Sequence, residues 1–281
     1  MLKPIIKWAG GKTQLVDYLI DKLPLNLLNN LSDDNKQIRY FEPFLGSGAM
    51  MLALQPKRAI VNDINQALIN MYQVVSDQAK VQCNSLCQKI NVLDAAAASY
   101  YDHRKLFNQK LKQNQYDESL AALFIFLNKH CFNGLYRVNS NGEFNVPYNS
   151  SMRKSVDISN LINVAKYLNQ HVTLNCGDFT IITQQVSAGD LVFIDSPYPP
   201  LRDKTFSEYN AIKFTDEDHK RLAAECKRLD QLKAYVIITN HDTLLIRNLY
   251  RSFNINKVKV QRNINSNGAN RTSEEIIITN F

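Results

Sequence analysis

The stretch from Arg39 to Asp63 constrains this chain more than any other. Arg39-Tyr-Phe-Glu-Pro-Phe44 reads as a strand, Leu45-Gly-Ser-Gly48 as a tight turn and Ala49–Leu54 as a helix. Ala59-Ile-Val-Asn62 then reads as a short buried strand ending at Asp63, and Gln66 to Val75 has helical spacing. Strand, glycine turn, helix, strand and acid in this order form a βαβ unit of the kind that holds nucleotides. A ligand approaches backbone closely at such a turn, and Gly46 and Gly48 supply the unusual dihedrals it needs. Asp63, at the next strand end, is placed to accept hydrogen bonds from ribose hydroxyls.

Alternation breaks off after about Gln78. Helix-compatible stretches (Ala95–Lys112, Leu120–Lys129) lead into a loop-rich segment, 133–148, in which Asn141-Gly142 between two apolar-containing arms signals a hairpin. Alternation resumes with candidate strands at Val172–Asn175, Asp190–Ile194 and Ala234–Thr239, and with a helix capped by Thr215 or Asp216 that runs to about Leu229. Val258–Val260 and Glu275–Thr279 read as a closing antiparallel pair around the polar loop 263–273. The expectation is an α/β domain made of residues 1–77 and 170–281, interrupted by a mainly helical domain, 78–169, that carries the hairpin.

At 281 residues the chain is long enough to build its own core without disulfides or metals. Its five cysteines, an odd and scattered set, point to reduced thiols and a cytoplasmic protein. Cys83 and Cys87 lack a second Cys/His pair at finger-like spacing and read as packing residues on one helix; the histidines show no ligand spacing, so no metal is expected. The apolar run Ala121–Leu127 is far too short to span a bilayer, and the N-terminus lacks the pattern of a signal peptide. The net charge of +7 favours a polyanionic partner, and residues 100–155 hold eight Lys/Arg against four Asp/Glu.

Two tempting motifs fail. Gly10-Gly-Lys12-Thr13 is not a phosphate loop, because the glycine required five residues earlier is Ile6. Gly46 and Gly48 do not begin a dinucleotide fingerprint, because its third glycine is Met51; a nicotinamide oxidoreductase is disfavoured on that ground. Asp195-Ser196-Pro197-Tyr198 carries the most chemistry. A carboxylate leaves the sheet at a strand end, and Pro197 disfavours helical dihedrals at Ser196, which holds the Ser196 carbonyl extended. Two acceptors beside an aromatic face are what an exocyclic amino group on a flat base requires.

With these motifs in order, nearly the whole chain resembles the Dam-type DNA adenine-N6 methyltransferases of the α-arranged amino-methyltransferase group. Lys7-Trp-Ala-Gly-Gly-Lys12 resembles the N-terminal cofactor motif, Phe41–Gly48 the S-adenosylmethionine loop and Asn62–Asn65 the ribose-binding acid. Phe132–Arg137 with Gly142–Pro147 is similar to the DNA-recognition hairpin, Gly177-Asp178-Phe179 to the adenine-pocket motif, Asp195–Tyr198 to the catalytic motif and Asn267–Arg271 to the C-terminal loop. The resemblance implies a Rossmann-like S-adenosylmethionine-dependent methyltransferase sheet with an inserted recognition domain. It implies a flipped adenine stacked on Tyr198, with Asp195 and the Ser196 carbonyl accepting its amino hydrogens and the methyl transferred directly, leaving S-adenosylhomocysteine. Trp8, Ala9, Gly10, Lys12, Phe44, Gly46, Gly48, Asp63, Asp178, Phe179 and Asp195 would line the cofactor pocket. Lys7, Asn133, Leu135, Arg137 and Pro147 would read double-stranded DNA, with Arg137 bidentate on guanine and GATC as the target.

This chain departs from the pattern twice. Ser196 stands where the usual motif has proline, and Asn149-Ser-Ser-Met152 follows the hairpin in place of a Gly-Arg-Tyr type segment. The first departure keeps open a weakened or inactive DNA-binding protein on the same scaffold. N4-cytosine methylation uses the same amino chemistry and also stays open, whereas C5-cytosine methylation is disfavoured because no cysteine follows a proline. The motifs do not distinguish a restriction–modification role from a viral or housekeeping one, association with a nucleoid follows only for a prokaryotic chain, and a monomer or weak dimer is equally compatible.

Overall fold

The alternating segments assemble into one seven-stranded sheet. In the computed structural model, which describes residues 1–95, 99–149, 156–200, 214–261 and 272–281, the strands are β1 (Tyr40–Glu42), β2 (Ala59–Asp63), β3 (Val172–Cys176), β4 (Leu191–Ile194), β5 (Tyr235–His241), β6 (Asn254–Gln261) and β7 (Thr272–Thr279). Their order is β3-β2-β1-β4-β5-β7-β6. The first five are parallel, and β7 inserts antiparallel between β5 and β6. Chain order reverses between β1 and β4, so the crevice at their carboxyl ends is where a ligand fits in such a sheet. The loop 267–271, the residues 150–152 that depart from the family pattern, and Arg153 and Lys154 of the basic stretch lie outside the described residues.

The helices are α1 (Val16–Asp21), α2 (Leu25–Leu31), α3 (Ala49–Leu54), α4 (Gln66–Asp77), α5 (Asn84–Ala95), α6 (Tyr100–Lys112), α7 (Glu118–His130), α8 (Ile158–His171), α9 (Thr180–Thr183), α10 (Asp216–Gln231) and α11 (Leu244–Leu249). Short polar side chains start several of them. Asn65, Asp117 and Asp157 accept the backbone N–H three residues ahead, and Thr215 forms a reciprocal capping box with Asp218. No helix of the described residues is long and apolar enough to cross a membrane.

Period-2 alternation splits the apolar side chains between two layers. Phe41, Val192, Ile194, Val236, Ile238, Ile276 and Ile278 pack with α10 and α11 on one face. Tyr40, Leu191, Phe193, Ile237 and Ile277 belong to the other cluster, which continues without a break through α4, α7 and α8. The inserted helices therefore share one apolar core with that face of the sheet. The boundary read at 169/170 falls inside α8, because that helix runs to His171 and is fastened beside the sheet by Tyr167, whose hydroxyl donates to the Pro56 carbonyl at 3.1 Å.

Three local expectations need correction. Arg39 and Asp190 lie outside their strands: the Asp190 carboxylate accepts from the Arg39 backbone N–H (2.9 Å) and guanidinium (2.7 Å), joining the entries to β1 and β4. Cys83 precedes α5 with φ +57, so only Cys87 is helical. The hairpin has the expected turn, with Gly142 N–H donating to the Asn139 carbonyl, but its arms form no continuous ladder, only the isolated bridges Val138–Phe144 and Cys131–Tyr148. Helix α6 takes the place of a longer ladder. The Tyr100 hydroxyl donates to the Val146 carbonyl (2.9 Å), and Asn108 makes both bonds to the Phe144 backbone (2.8 and 3.0 Å).

Candidate active site

Four loops converge at the carboxyl end of the sheet. The first, Lys7–Lys12, is held by buried Asn128 on α7. Its amide accepts from Lys7 N–H (2.9 Å) and donates to the carbonyls of Lys7 (2.8 Å) and Gly134 (3.0 Å). Trp8 stacks on Tyr136, with centroids 5.5 Å apart, and lies 6.4 Å from Phe124. The cofactor segment and the recognition segment of the expected assignment thus share one aromatic stack. Asn128 was missed, and Tyr136, though inside the Phe132–Arg137 motif, was given no role of its own; nothing local announces contacts made so far along the chain.

The second loop is the glycine turn. Gly46 (φ +49) and Gly48 (φ +64) take left-handed dihedrals, and Gly48 caps α3. A β-carbon on Gly46 would sit 2.7 Å from Trp8 Cδ1, so the first loop closes directly over the second. Asp63 fastens the turn from β2. Its Oδ2 accepts Gly46 N–H and its Oδ1 accepts Asn65 N–H, both at 2.9 Å. Burial raises the Asp63 pKa, against the opposing pull of these backbone bonds. A carboxylate offers about four acceptor sites in all, so Asp63 retains capacity for a further donor.

The third loop, Gly177-Asp178-Phe179, hangs on Asn62, whose amide donates to the Gly177 carbonyl at 2.9 Å. Phe44 and Phe179 lie 5.7 Å apart and form an aromatic wall. Asp178 accepts from Thr180 and pairs with Arg221 at 3.2 Å. Burial pushes its pKa up, but the bonds from Thr180 and Arg221 outweigh this and hold it below the ordinary value. Arg221 also covers the Phe179 ring at 5.1 Å, a role its place on α10 concealed from the sequence.

The fourth loop is Asp195–Tyr198, leaving β4. The register Ile194–Ile238 sets Asp195 beside Thr239 on β5, whose hydroxyl donates to Asp195 Oδ1 at 2.6 Å. Lys12, 6% exposed, brings its ammonium 2.9 Å from the same oxygen, donates to the Gly10 carbonyl (2.6 Å) and lies 4.6 Å from the Tyr198 ring centroid. Among the described residues Oδ2 of Asp195 has no partner. The Tyr198 hydroxyl donates to Glu275 on β7 at 3.0 Å. Burial, with the charges of Asp195 and Glu275, keeps this phenol well above its ordinary pKa and therefore protonated. Thr239 and Glu275 were also missed. Glu275 did leave a signal, since it is a carboxylate at an inward position next to an isoleucine run.

Of the residues expected to read DNA, Lys7 touches the Asn133–Leu135 turn, where a β-carbon on Gly134 would meet Lys7 Cβ at 2.6 Å. Pro147 is joined to that turn through Phe132 N–H, which donates to the Pro147 carbonyl at 2.9 Å. The Arg137 Nε donates to Asn145 Oδ1 at 2.7 Å. Ala9 and Gly10 are exposed beside Lys12. Among the described residues no three His, Cys, Asp or Glu side chains gather closely enough to hold a metal ion.

The model of the D12 class N6 adenine-specific DNA methyltransferases matches residues 8–264. The chain is 39% identical to the type II methyltransferase M.MjaIII of Methanocaldococcus jannaschii, over 100% of this chain and 99% of that protein. It is 33% identical to the type II methyltransferase M1.LlaDCHI of Lactococcus lactis subsp. cremoris (100% and 96% covered) and 32% identical to the DNA adenine methylase of Escherichia coli K12 (96% and 91%).

Proposed function

The chain belongs to the D12 class of N6 adenine-specific DNA methyltransferases, and from that premise we propose that it methylates adenine N6 within GATC in double-stranded DNA, after turning the base out of the helix. The observation that carries this reading is the state of Asp195. Lys12 and Thr239 hold one carboxylate oxygen, and the other has no partner among the described residues. An amino group of adenine offers two N–H donors, and this second oxygen with the Ser196 carbonyl would accept both. Accepting them draws the nitrogen lone pair out of conjugation with the ring, which makes it nucleophilic. The Tyr198 ring supplies a stacking face for a base out of the duplex.

The cofactor is S-adenosylmethionine, which when bound supplies a methyl on a cationic sulfonium that leaves as a neutral thioether. The residues present fit it. Asp63 keeps lone pairs for ribose hydroxyls, Phe44 and Phe179 wall an adenine-sized space, and the Gly46–Gly48 backbone permits close approach. Trp8, Ala9, Gly10, Lys12, Asp178 and Asp195 complete the lining. Holding both reactants on one rigid sheet edge supplies rate through orientation.

The inserted segment that begins near residue 78 would form the recognition part, with Lys7 packed against it; Lys7, Asn133, Leu135 and Pro147 would face the DNA and Arg137 would address guanine. GATC follows from the likeness of this segment to Dam-type relatives. The type II names of two relatives favour a place in a restriction–modification pair.

The test is mass spectrometry of nucleosides from duplex DNA incubated with the protein and S-adenosylmethionine. N6-methyladenine, with protection from a nuclease that cuts only unmethylated GATC, is the expected result. N4-methylcytosine, or an absence of modified base in both the wild type and Ser196→Pro, sinks the reading. Methyladenine in DNA that is still cut means another target sequence.

A further inference from the structure

We propose that Glu275 is a positioning residue of the target-base site, fixing Tyr198 from the antiparallel strand β7; this rests on the adenine reading above. Glu275 faces His241 across the antiparallel β5–β7 pair, so both side chains share one side of the sheet with Thr239. Because β4 and β5 are in register up to Ile194 and Ile238, that side is also where Asp195 emerges. A strand from the far end of the sequence thereby delivers a carboxylate to the catalytic loop.

Glu275 is 8% exposed and is followed by Ile276, Ile277 and Ile278, all buried. A carboxylate in such surroundings is costly unless paired. Among the described residues it pairs with the Tyr198 hydroxyl at 3.0 Å and the Lys12 ammonium at 3.9 Å. The same ammonium lies 2.9 Å from Asp195. One cation thus stands between two acids, and the Tyr198 ring spans the space from Lys12 to Glu275. Tyr198 follows Pro197 on an irregular loop, so backbone geometry alone does not set its ring; the hydroxyl bond to Glu275 does. His241 braces the same loop, with its ring 4.7 Å from that of Tyr198 and Nδ1 3.0 Å from the Pro199 carbonyl.

If Glu275 works by holding the phenol, acceptor geometry matters more than charge. Glu275→Gln keeps an oxygen that accepts from Tyr198, Glu275→Ala keeps none, and Tyr198→Phe removes the donor. The expected result is about a tenfold or greater loss of kcat for Glu275→Ala and for Tyr198→Phe, no further loss in the double variant, and KM for S-adenosylmethionine within about twofold of wild type. Glu275→Gln stays within about threefold of wild type. The fluorescence of 2-aminopurine at the target position, which reports unstacking without turnover, falls in Glu275→Ala and Tyr198→Phe together.

Wild-type kcat and fluorescence in folded Glu275→Ala overturn the proposal, and so do additive losses in the double variant or Glu275→Gln as impaired as Glu275→Ala. Should Glu275→Ala not fold by circular dichroism, Glu275→Gln against Tyr198→Phe decides by the same criteria. Wild-type protein that modifies a base other than adenine refutes the functional reading instead, and the analogue placed at that base still decides Glu275.

Discussion

Lys12 Nζ lies 2.9 Å from Asp195 Oδ1, tying the N-terminal turn to the end of β4. The side chains are 5% and 18% exposed, so their charges meet largely out of water. Lys12→Met leaves Asp195 and Glu275 facing one another without a counter-charge. Breaking a buried pair from one side costs about 3–5 kcal/mol. Thermal denaturation of Lys12→Met is expected to show that loss, with methylation at least about tenfold slower. A variant as stable and as active as wild type removes Lys12 from the site.

Ser196 presents the opposite situation. Its hydroxyl is buried, with no hydrogen-bond partner among the described residues, while the atom assigned to the chemistry in the proposed mechanism is its backbone carbonyl. Ser196→Ala removes an unsatisfied group worth about 1–3 kcal/mol of desolvation and retains the carbonyl. A higher melting temperature with kcat within about twofold of wild type is expected. If Ser196→Ala is inactive, the hydroxyl itself touches substrate.

Gly46→Ala introduces a β-carbon 2.7 Å from the Trp8 ring, at φ +49. Strain and displacement act together, so KM for S-adenosylmethionine rises about tenfold or more. Trp8 is the single tryptophan of the chain, so its emission reports the shift directly. Unchanged emission and KM would falsify the closure of these two loops over the proposed cofactor site.

Arg137 and Asn145 form a pair within the recognition segment. Replacing Arg137 by Ala is expected to weaken binding to GATC duplexes by about 1–3 kcal/mol, with much less effect on duplexes lacking the site. Equal weakening of both sets, measured at one salt concentration, makes Arg137 a phosphate contact.

His219 on α10 is 2% exposed, its ring 4.8 Å from that of Phe214. Burial lowers its pKa from the ordinary 6.5, outweighing the pull of Asp216 and Asp218. Below pH 6.5 the unfolded chain takes up a proton that the folded chain resists, so stability is complete above that pH and declines as the pH falls. Urea midpoints at pH 7.5 and pH 5.5 are expected to converge in His219→Phe. An unchanged slope places the pH dependence elsewhere.

The strand–turn–helix unit at 40–54 was legible because its signals are local: apolar runs of strand length, glycines at a turn, an acid at a strand end. Thr215 announced α10 in the same way. The hairpin turn was readable at Asn141-Gly142, but its arms were not, since Tyr100 and Asn108 on a separate helix take the bonds that a ladder would use. Arg39 and Asp190 looked like strand residues by apolar context; each lies just before its strand, where the Asp190 carboxylate accepts the Arg39 backbone N–H.

By itself the sequence determined which segments become the strands at 40–42, 59–63 and 191–194, the glycine turn with its acid, and the exit of Asp195–Tyr198 from a strand end. Each depends on residue types a few positions apart, where dihedral preference and hydrophobic period act directly. The tertiary structure alone decided that Lys12 and Thr239 hold Asp195, that Asn128 fastens the N-terminal loop, and that Glu275 anchors Tyr198. Those partnerships exist because the sheet runs β1-β4-β5-β7, and strand order is set by packing of whole layers rather than by any local signal.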